Sequence, residues 1–259
     1  MDELRVVRDG PVATITLNRP EKHNAITVAM WEALPGVLAP LAADAAVRAV
    51  VVRGAGEEAF ASGADISEFG RVRNGAPSAR AYSALVAAAE RALADFPKPA
   101  IAMVHGFCVG GGLELALACD LRWTSPSGRF GITAARLGIV YSPDATRRLA
   151  RLVGPSHARD LLFSGRLVDA AEARTMGLVN RVCPSGELET ATYAYADMLA
   201  RQAPLSQRGA KAMLQRLAGE GTMSDQDIAA FVEAAYESAD YREGVQAFLA
   251  RRPARFEGR

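Results

Sequence analysis

Residues 105–120 read HGFCVGGGLELALACD, and the rest of the chain is best understood from them. Between Pro99 and Cys119 the one charged side chain is Glu114. A strand-like run at 100–104 leads into Gly110, Gly111 and Gly112, and an almost wholly apolar helix follows through 113–118. A helix that is apolar on all sides is buried. An ionised carboxylate there costs on the order of several kcal/mol unless it is paired, faces a solvated cavity or is protonated. The glycines upstream let another molecule approach the backbone closely, and the free amides of a helix start favour negative charge. Together these features predict a site that stabilises an anion and moves a proton beside it.

Upstream of this stretch, 4–6 and 12–17 alternate as the strands of a hairpin around Asp9-Gly10. Asn18-Arg19-Pro20 ends the hairpin, and 27–43 reads as a helix kinked near Pro35. A third strand at 46–53 stops at Gly54-Ala55-Gly56. A short segment at 60–65 enters a loop rich in Gly, Asn, Ser and Pro around 70–78. An Ala-rich helix follows at 79–95, ended by Pro97 and Pro99. Downstream, 120–124 is a strand and 130–139 has mixed character. Segments 147–152, 156–163 and 170–176 are helical, and 178–182 is a strand. The order strand, strand, helix recurs, which points to an α/β fold with helices covering sheets. Strand signals stop near Leu188. Helices at 188–202, 205–218, 224–238 and 240–250 form an all-helical remainder, so the chain divides into a core at 1–187 and a helical region at 188–259.

The 259 residues suffice for one large core or two modest ones, and a net charge of +1 gives no reason to expect nucleic acid or an anionic membrane as partner. No apolar run reaches the roughly 18 residues of a membrane span. Cys108, Cys119 and Cys183 lack metal-ligand spacing and disulfide partners. With no secretory signal at the N-terminus, a reducing cytoplasm is the expected compartment and no metal site is expected. His105 and Cys108 could pair as base and nucleophile, but a free cysteine is more often a small buried hydrophobe.

Five ordered segments carry a resemblance to the enoyl-CoA hydratase/isomerase (crotonase) superfamily over essentially the whole chain. They are Asn18-Arg19-Pro20 with Asn24-Ala25, AFASGADISEF at 59–69, HGFCVGGGLELALACD at 105–120, FSGRLVDAAEARTMGLVNRV at 163–182 and EGVQAFLARR at 243–252. The resemblance implies a spiral of ββα units with C-terminal helices that build trimers or hexamers. It also implies an acyl-CoA thioester reacting through an enolate, with no cofactor beyond the coenzyme A of the substrate. The enolate oxygen would be held by the backbone amides of Ala64 and Gly111. Glu114 would act as acid or base, and Ser62, Gly63, Asp65, Ile66, Gly110 and Tyr141 would contact the thioester.

The chain departs from the hydratase pattern in the segment FGITAARLGIVYSPDATRRL at 130–149, where the second catalytic glutamate of hydratases falls on Ala134. Alanine transfers no proton, so moving a double bond with Glu114 alone fits better than adding water. Asp144 is the remaining nearby acid, either a second catalytic group or a helix N-cap. Relatives often carry a CoA-binding lysine where Glu257 stands, a role Arg251, Arg252 or Arg255 could take. The competing reading is an acyl-CoA-binding protein that has lost its chemistry. A dinucleotide fold is disfavoured because the glycines lack Gly-x-Gly-x-x-Gly spacing.

Overall fold

The computed structural model describes residues 2–221 and 223–259. The hairpin forms as expected: β1 (Leu4–Asp9) and β2 (Val12–Leu17) pair antiparallel. Helix α1 (Val28–Ala43) starts where the Thr27 hydroxyl accepts the Met30 N–H, and it stays one helical element through Pro35 and Pro40. Met30, Trp31, Leu34 and Leu38 anchor its buried face on both sides of Pro35, which offsets the missing backbone donor.

Three strand–strand–helix repeats follow. The first is β3 (Ala49–Gly54) and β4 (Ala59–Ala61), then the short α2 (Phe69–Val72) and α3 (Ala76–Ala94). The second is β5 (Ala100–Val104), β6 (Phe107–Val109) and α4 (Gly111–Ala118). The third is β7 (Leu121–Thr124), β8 (Arg129–Gly131) and α5 (Pro143–Ser164). In every repeat the first strand joins a six-stranded sheet and the second joins a four-stranded one. The sheets are completed by β9 (Leu167–Asp169), which follows α5 and precedes α6 (Ala170–Thr175), and by β10 (Arg181–Val182). The orders are β1-β2-β3-β5-β7-β10 and β4-β6-β8-β9, parallel except at β1/β2 and β8/β9.

Strand β5 is buried at every residue, as its unbroken apolar run predicts for a parallel strand covered on both faces. Alternation divides its neighbours between two cores. Val50 and Val52 pack toward the α1–α3–α4 side, whereas Ala49, Val51, Ile101 and Met103 pack under α7 (Leu188–Ala200). The first helix of the C-terminal stretch therefore seals the larger sheet. Beyond it lie α8 (Pro204–Leu217), α9 (Asp225–Glu237) and α10 (Ala239–Leu249). Helix α5 is two pieces joined at Gly154, whose φ of 75° ahead of Pro155 breaks the helical path. Among the described residues, no helix is long and apolar enough to cross a membrane.

Candidate active site

Strands β4 and β6 are parallel neighbours, with Ala61 beside Cys108, so their carboxyl ends deliver two glycine turns to the same edge of the smaller sheet. From β4 comes Ser62-Gly63-Ala64, and from β6 comes Gly110-Gly111. This juxtaposes residues 64 and 111 although 47 positions separate them in the chain. Hydrogen bonds to each preceding carbonyl set both peptide planes. The Gly63 carbonyl accepts from the Ile26 N–H at 2.8 Å. The Gly110 carbonyl accepts from the Glu114 N–H at 2.9 Å and from the Tyr141 hydroxyl at 3.2 Å. In a trans peptide the N–H points opposite to the carbonyl, so each bond turns the Ala64 or Gly111 N–H away from that partner. Among the described residues neither N–H has a hydrogen-bond acceptor. A β-carbon built on Gly111 would lie 3.3 Å from the Ala64 nitrogen, which puts the two donors side by side.

The glycines differ in task. Gly110 has φ 52° and ψ −118°, a conformation that side chains resist, and it makes the turn itself. Gly112 lets α4 lie against β4: a β-carbon there would meet the Ala61 carbonyl oxygen at 2.3 Å. Below the turns, Asn24 is fully buried and its amide donates to the Ala59 carbonyl at 2.7 Å and the Ala55 carbonyl at 2.9 Å. Arg19 pairs with Asp65 at 2.9 Å. The Asn18-Arg19-Pro20 and Asn24 motif is thus a brace for the Ala64 turn.

Glu114 lies one turn into α4, where all but Gly111 and Glu114 itself are buried. It lines a cavity of about 340 Å³ together with Ser62, Gly63, Ala64, Gly110 and Gly111. Desolvation and, second, the Glu90 carboxylate raise its pKa to about 8, against the opposing pull of Arg73, Ser142 and Arg148. The carboxyl group is poised to exchange a proton near neutral pH. Ile66, Ala134, Tyr141 and Asp144 also line the cavity. Ala134 begins a short 3-10 helix, Ala134–Leu137.

Asp144 is not the helix cap. Ser142 caps α5 by accepting the Ala145 N–H at 3.2 Å, and Asp144 sits in the first turn, paired with Arg147 at 3.1 Å. Serine wins the cap because Pro143 occupies the first helical position, leaving Ser142 as the flanking residue. Asp65 does not line the cavity. It accepts from the Ser67 hydroxyl at 2.6 Å and from Arg19, and these bonds hold its carboxyl below the usual range. Cys108 is fully buried with its thiol pKa pushed up by desolvation, which leaves no nucleophile beside His105. At the C-terminus, Arg252 is held by Glu243 and Glu257 pairs with Arg259. Among the described residues no group of three or more His, Cys, Asp and Glu side chains gathers as a metal site.

The sequence profile of the enoyl-CoA hydratase/isomerase family matches residues 8–259. The chain belongs to this family. A family member from Thermus thermophilus is 40% identical over 252 residues, 96% of this chain and 99% of its own length. The short-chain-enoyl-CoA hydratase of Clostridium acetobutylicum is 34% identical over 250 residues, 95% of this chain and 94% of that enzyme. The crystal structure of an enoyl-CoA hydratase/carnithine racemase from Magnetospirillum magneticum matches with a TM-score of 0.95 at 38% identity, covering 100% of this chain and 97% of that one.

Two groups escaped the reading of this enoyl-CoA hydratase/isomerase sequence. Glu90 on α3 is 1% exposed, and its Oε2 accepts from Arg148 at 2.9 Å while Oε1 has no partner. Burial raises its pKa to about 7 despite Arg148. Arg148 also approaches Glu220 at 3.5 Å. The available signal was periodicity: Val86, Glu90 and Leu93 fall on one helical face, so a carboxylate stood where an apolar residue belonged. Arg73, the other omission, follows α2 in a segment without helical or strand periodicity, and its position on the cavity wall had no local signal.

Proposed function

We propose that this enzyme acts on enoyl-CoA thioesters, with the thioester carbonyl oxygen accepting from the Ala64 and Gly111 amides and Glu114 moving the proton. The observation that carries this reading is the pair of adjacent, unpartnered N–H groups opening on the cavity that Glu114 lines. The family membership and the hydratase activity named for the Clostridium relative support the same substrate class.

Isomerisation is the form of the reaction that needs least from this site. Glu114 removes a proton from C2 of a 3-enoyl-CoA, and the electron pair delocalises into a dienolate whose oxygen rests on the two amides. The same carboxylic acid returns the proton to C4, giving the conjugated 2-enoyl-CoA. Hydration requires a second proton carrier, and Ala134 supplies none, leaving Asp144 across the same cavity as the candidate. Coenzyme A enters as part of the substrate. The exposed Leu214, Leu217, Phe248 and Leu249 on α8 and α10 support assembly of the C-terminal helices into a trimer or hexamer, and a cytoplasmic setting is consistent with three unpaired cysteines.

The test follows thioester absorbance with 3-enoyl-CoA and 2-enoyl-CoA of several chain lengths. Conversion is expected, and Glu114→Gln should lower kcat by about 100- to 10,000-fold. An unchanged rate in that variant would remove Glu114 from the chemistry. Tight binding of every thioester by the native protein, with no conversion, would establish the non-catalytic acyl-CoA carrier instead.

A further inference from the structure

Arg73 stands on the cavity wall against two aromatic rings, its guanidinium carbon 4.3 Å from the centre of Phe69 and 5.0 Å from that of Tyr82. Its surroundings leave it without an anion. Neighbouring charges are matched elsewhere: Arg71 pairs with Glu68 at 3.1 Å, and Asp65 with Arg19 at 2.9 Å. Among the described residues no carboxylate lies within ion-pair distance of Arg73, and its buried Nε has no hydrogen-bond partner. Arg73 is the one basic side chain among the described residues lining the cavity; Glu114 and Asp144 are its acids. Asp144 is paired with Arg147, and Glu114, with a pKa of about 8, is largely protonated at neutral pH.

The cavity therefore presents a half-buried guanidinium that, among the described residues, has no carboxylate partner. The faces of Phe69 and Tyr82 stabilise the cation and restrict where the guanidinium can lie. A planar fork of donors fixed in this way is matched by a carboxylate, which it can engage through two parallel hydrogen bonds. The hydroxyls of Tyr82 and Ser83 line the same wall and could take further acceptor oxygens.

We propose that Arg73 binds a carboxylate at the far end of the acyl chain, so that the preferred substrates are short dicarboxylic acyl-CoA thioesters. This rests on the thioester reading of the site given above. The phosphates of coenzyme A are the other anions such a ligand carries. The pantetheine arm holds them far from the thioester carbonyl, whereas Arg73 shares one cavity with Glu114 and the two amides and acts electrostatically on Glu114. The acyl end is the anion within its reach.

The experiment is calorimetric binding of glutaryl-CoA and pentanoyl-CoA to the full-length protein. These saturated five-carbon thioesters differ in the terminal carboxylate and cannot be isomerised or hydrated. The native protein is expected to bind glutaryl-CoA about 10- to 100-fold more tightly, the range for a hydrogen-bonded charged pair. Arg73→Leu should bring that ratio to about one, and Arg73→Lys should keep part of it. Equal affinities in the native protein would overturn the inference while leaving the thioester reading intact. A loss in Arg73→Leu that falls equally on both ligands would overturn it in favour of a phosphate contact. Failure of both ligands to bind would instead bring down the thioester reading itself.

Discussion

The floor of the cavity and its walls are built on opposite terms. On the floor, Cys108 and Leu113 are fully buried, the peptide planes at 63–64 and 110–111 are set by hydrogen bonds, and Gly112 lies against the backbone of β4. On the walls, Ile66 is 60% exposed, Leu137 50% and Val140 95%. Backbone donors need rigid placement, which secondary structure packed on both sides supplies. Side chains that choose a substrate can vary only where nothing else depends on them. The proposed chemistry accordingly sits where packing leaves the backbone least room to move, whereas much of the wall is open to solvent.

The sharpest way to break this contrast is within the floor, at two adjacent glycines. Gly111→Ala places a methyl group 3.3 Å from the Ala64 nitrogen, beside the two amides proposed to hold the thioester oxygen. It should lower kcat/KM by about 100- to 1,000-fold, the effect of a lost oxyanion donor, with thermal stability nearly kept. Gly112→Ala drives its methyl into the Ala61 backbone at 2.3 Å. That variant should lose about 1–3 kcal/mol of stability, read from denaturant unfolding, a loss that Gly111→Ala does not share. If the two variants behaved alike, the division of tasks among the glycines would be wrong.

A smaller effect is expected on the wall. Ala134→Glu puts a second carboxyl group on the wall of the cavity that Glu114 also lines. Hydration of 2-enoyl-CoA should rise about tenfold or more relative to isomerisation, measured as the ratio of the two rates. No change would mean that Asp144 already fills that role.

The smallest effect concerns stability alone. Glu114 has a higher pKa when folded, about 8, than in the unfolded chain, so the folded state holds its proton more tightly. Ionisation therefore costs no stability below the unfolded carboxylate range near about 4.3, and the cost grows as pH rises toward 8. Glu114→Gln cannot ionise. Its Tm should exceed that of the native protein by a few degrees at about pH 9 and nearly match it at about pH 5. A gap that widened toward acid would reverse the sign and discard the argument.

The parts of the molecule that were legible in sequence are those with strong periodicity or unusual composition. The hairpin, the apolar strand at 100–104, the Ala-rich helix and the glycine-to-helix junction are all of this kind. Strands β6, β8 and β9 have three residues each, too few for alternation to show, so the smaller sheet was invisible although it brings the two glycine turns together. Helix α5 reads in sequence as two segments, and the break at Gly154-Pro155 bears this out, whereas its first turn at Pro143 and Asp144 reads as loop. Glu90 and Arg148 do not stand out locally because other charged residues stand in the same helices, Arg91 beside one and Arg147 beside the other. Their pairing depends on helix contacts that local patterns do not encode.

The Gly110 carbonyl oxygen ties the two regions, receiving one hydrogen bond from the helix that starts beside it and one from Tyr141 on the facing segment. Anyone grafting a foreign loop here to change the enzyme's preferences should therefore keep the tyrosine and vary the residues around it. A graft that discards the phenol would loosen the glycine turn as well as reshape the pocket, and the resulting loss of rate would look like poor substrate fit.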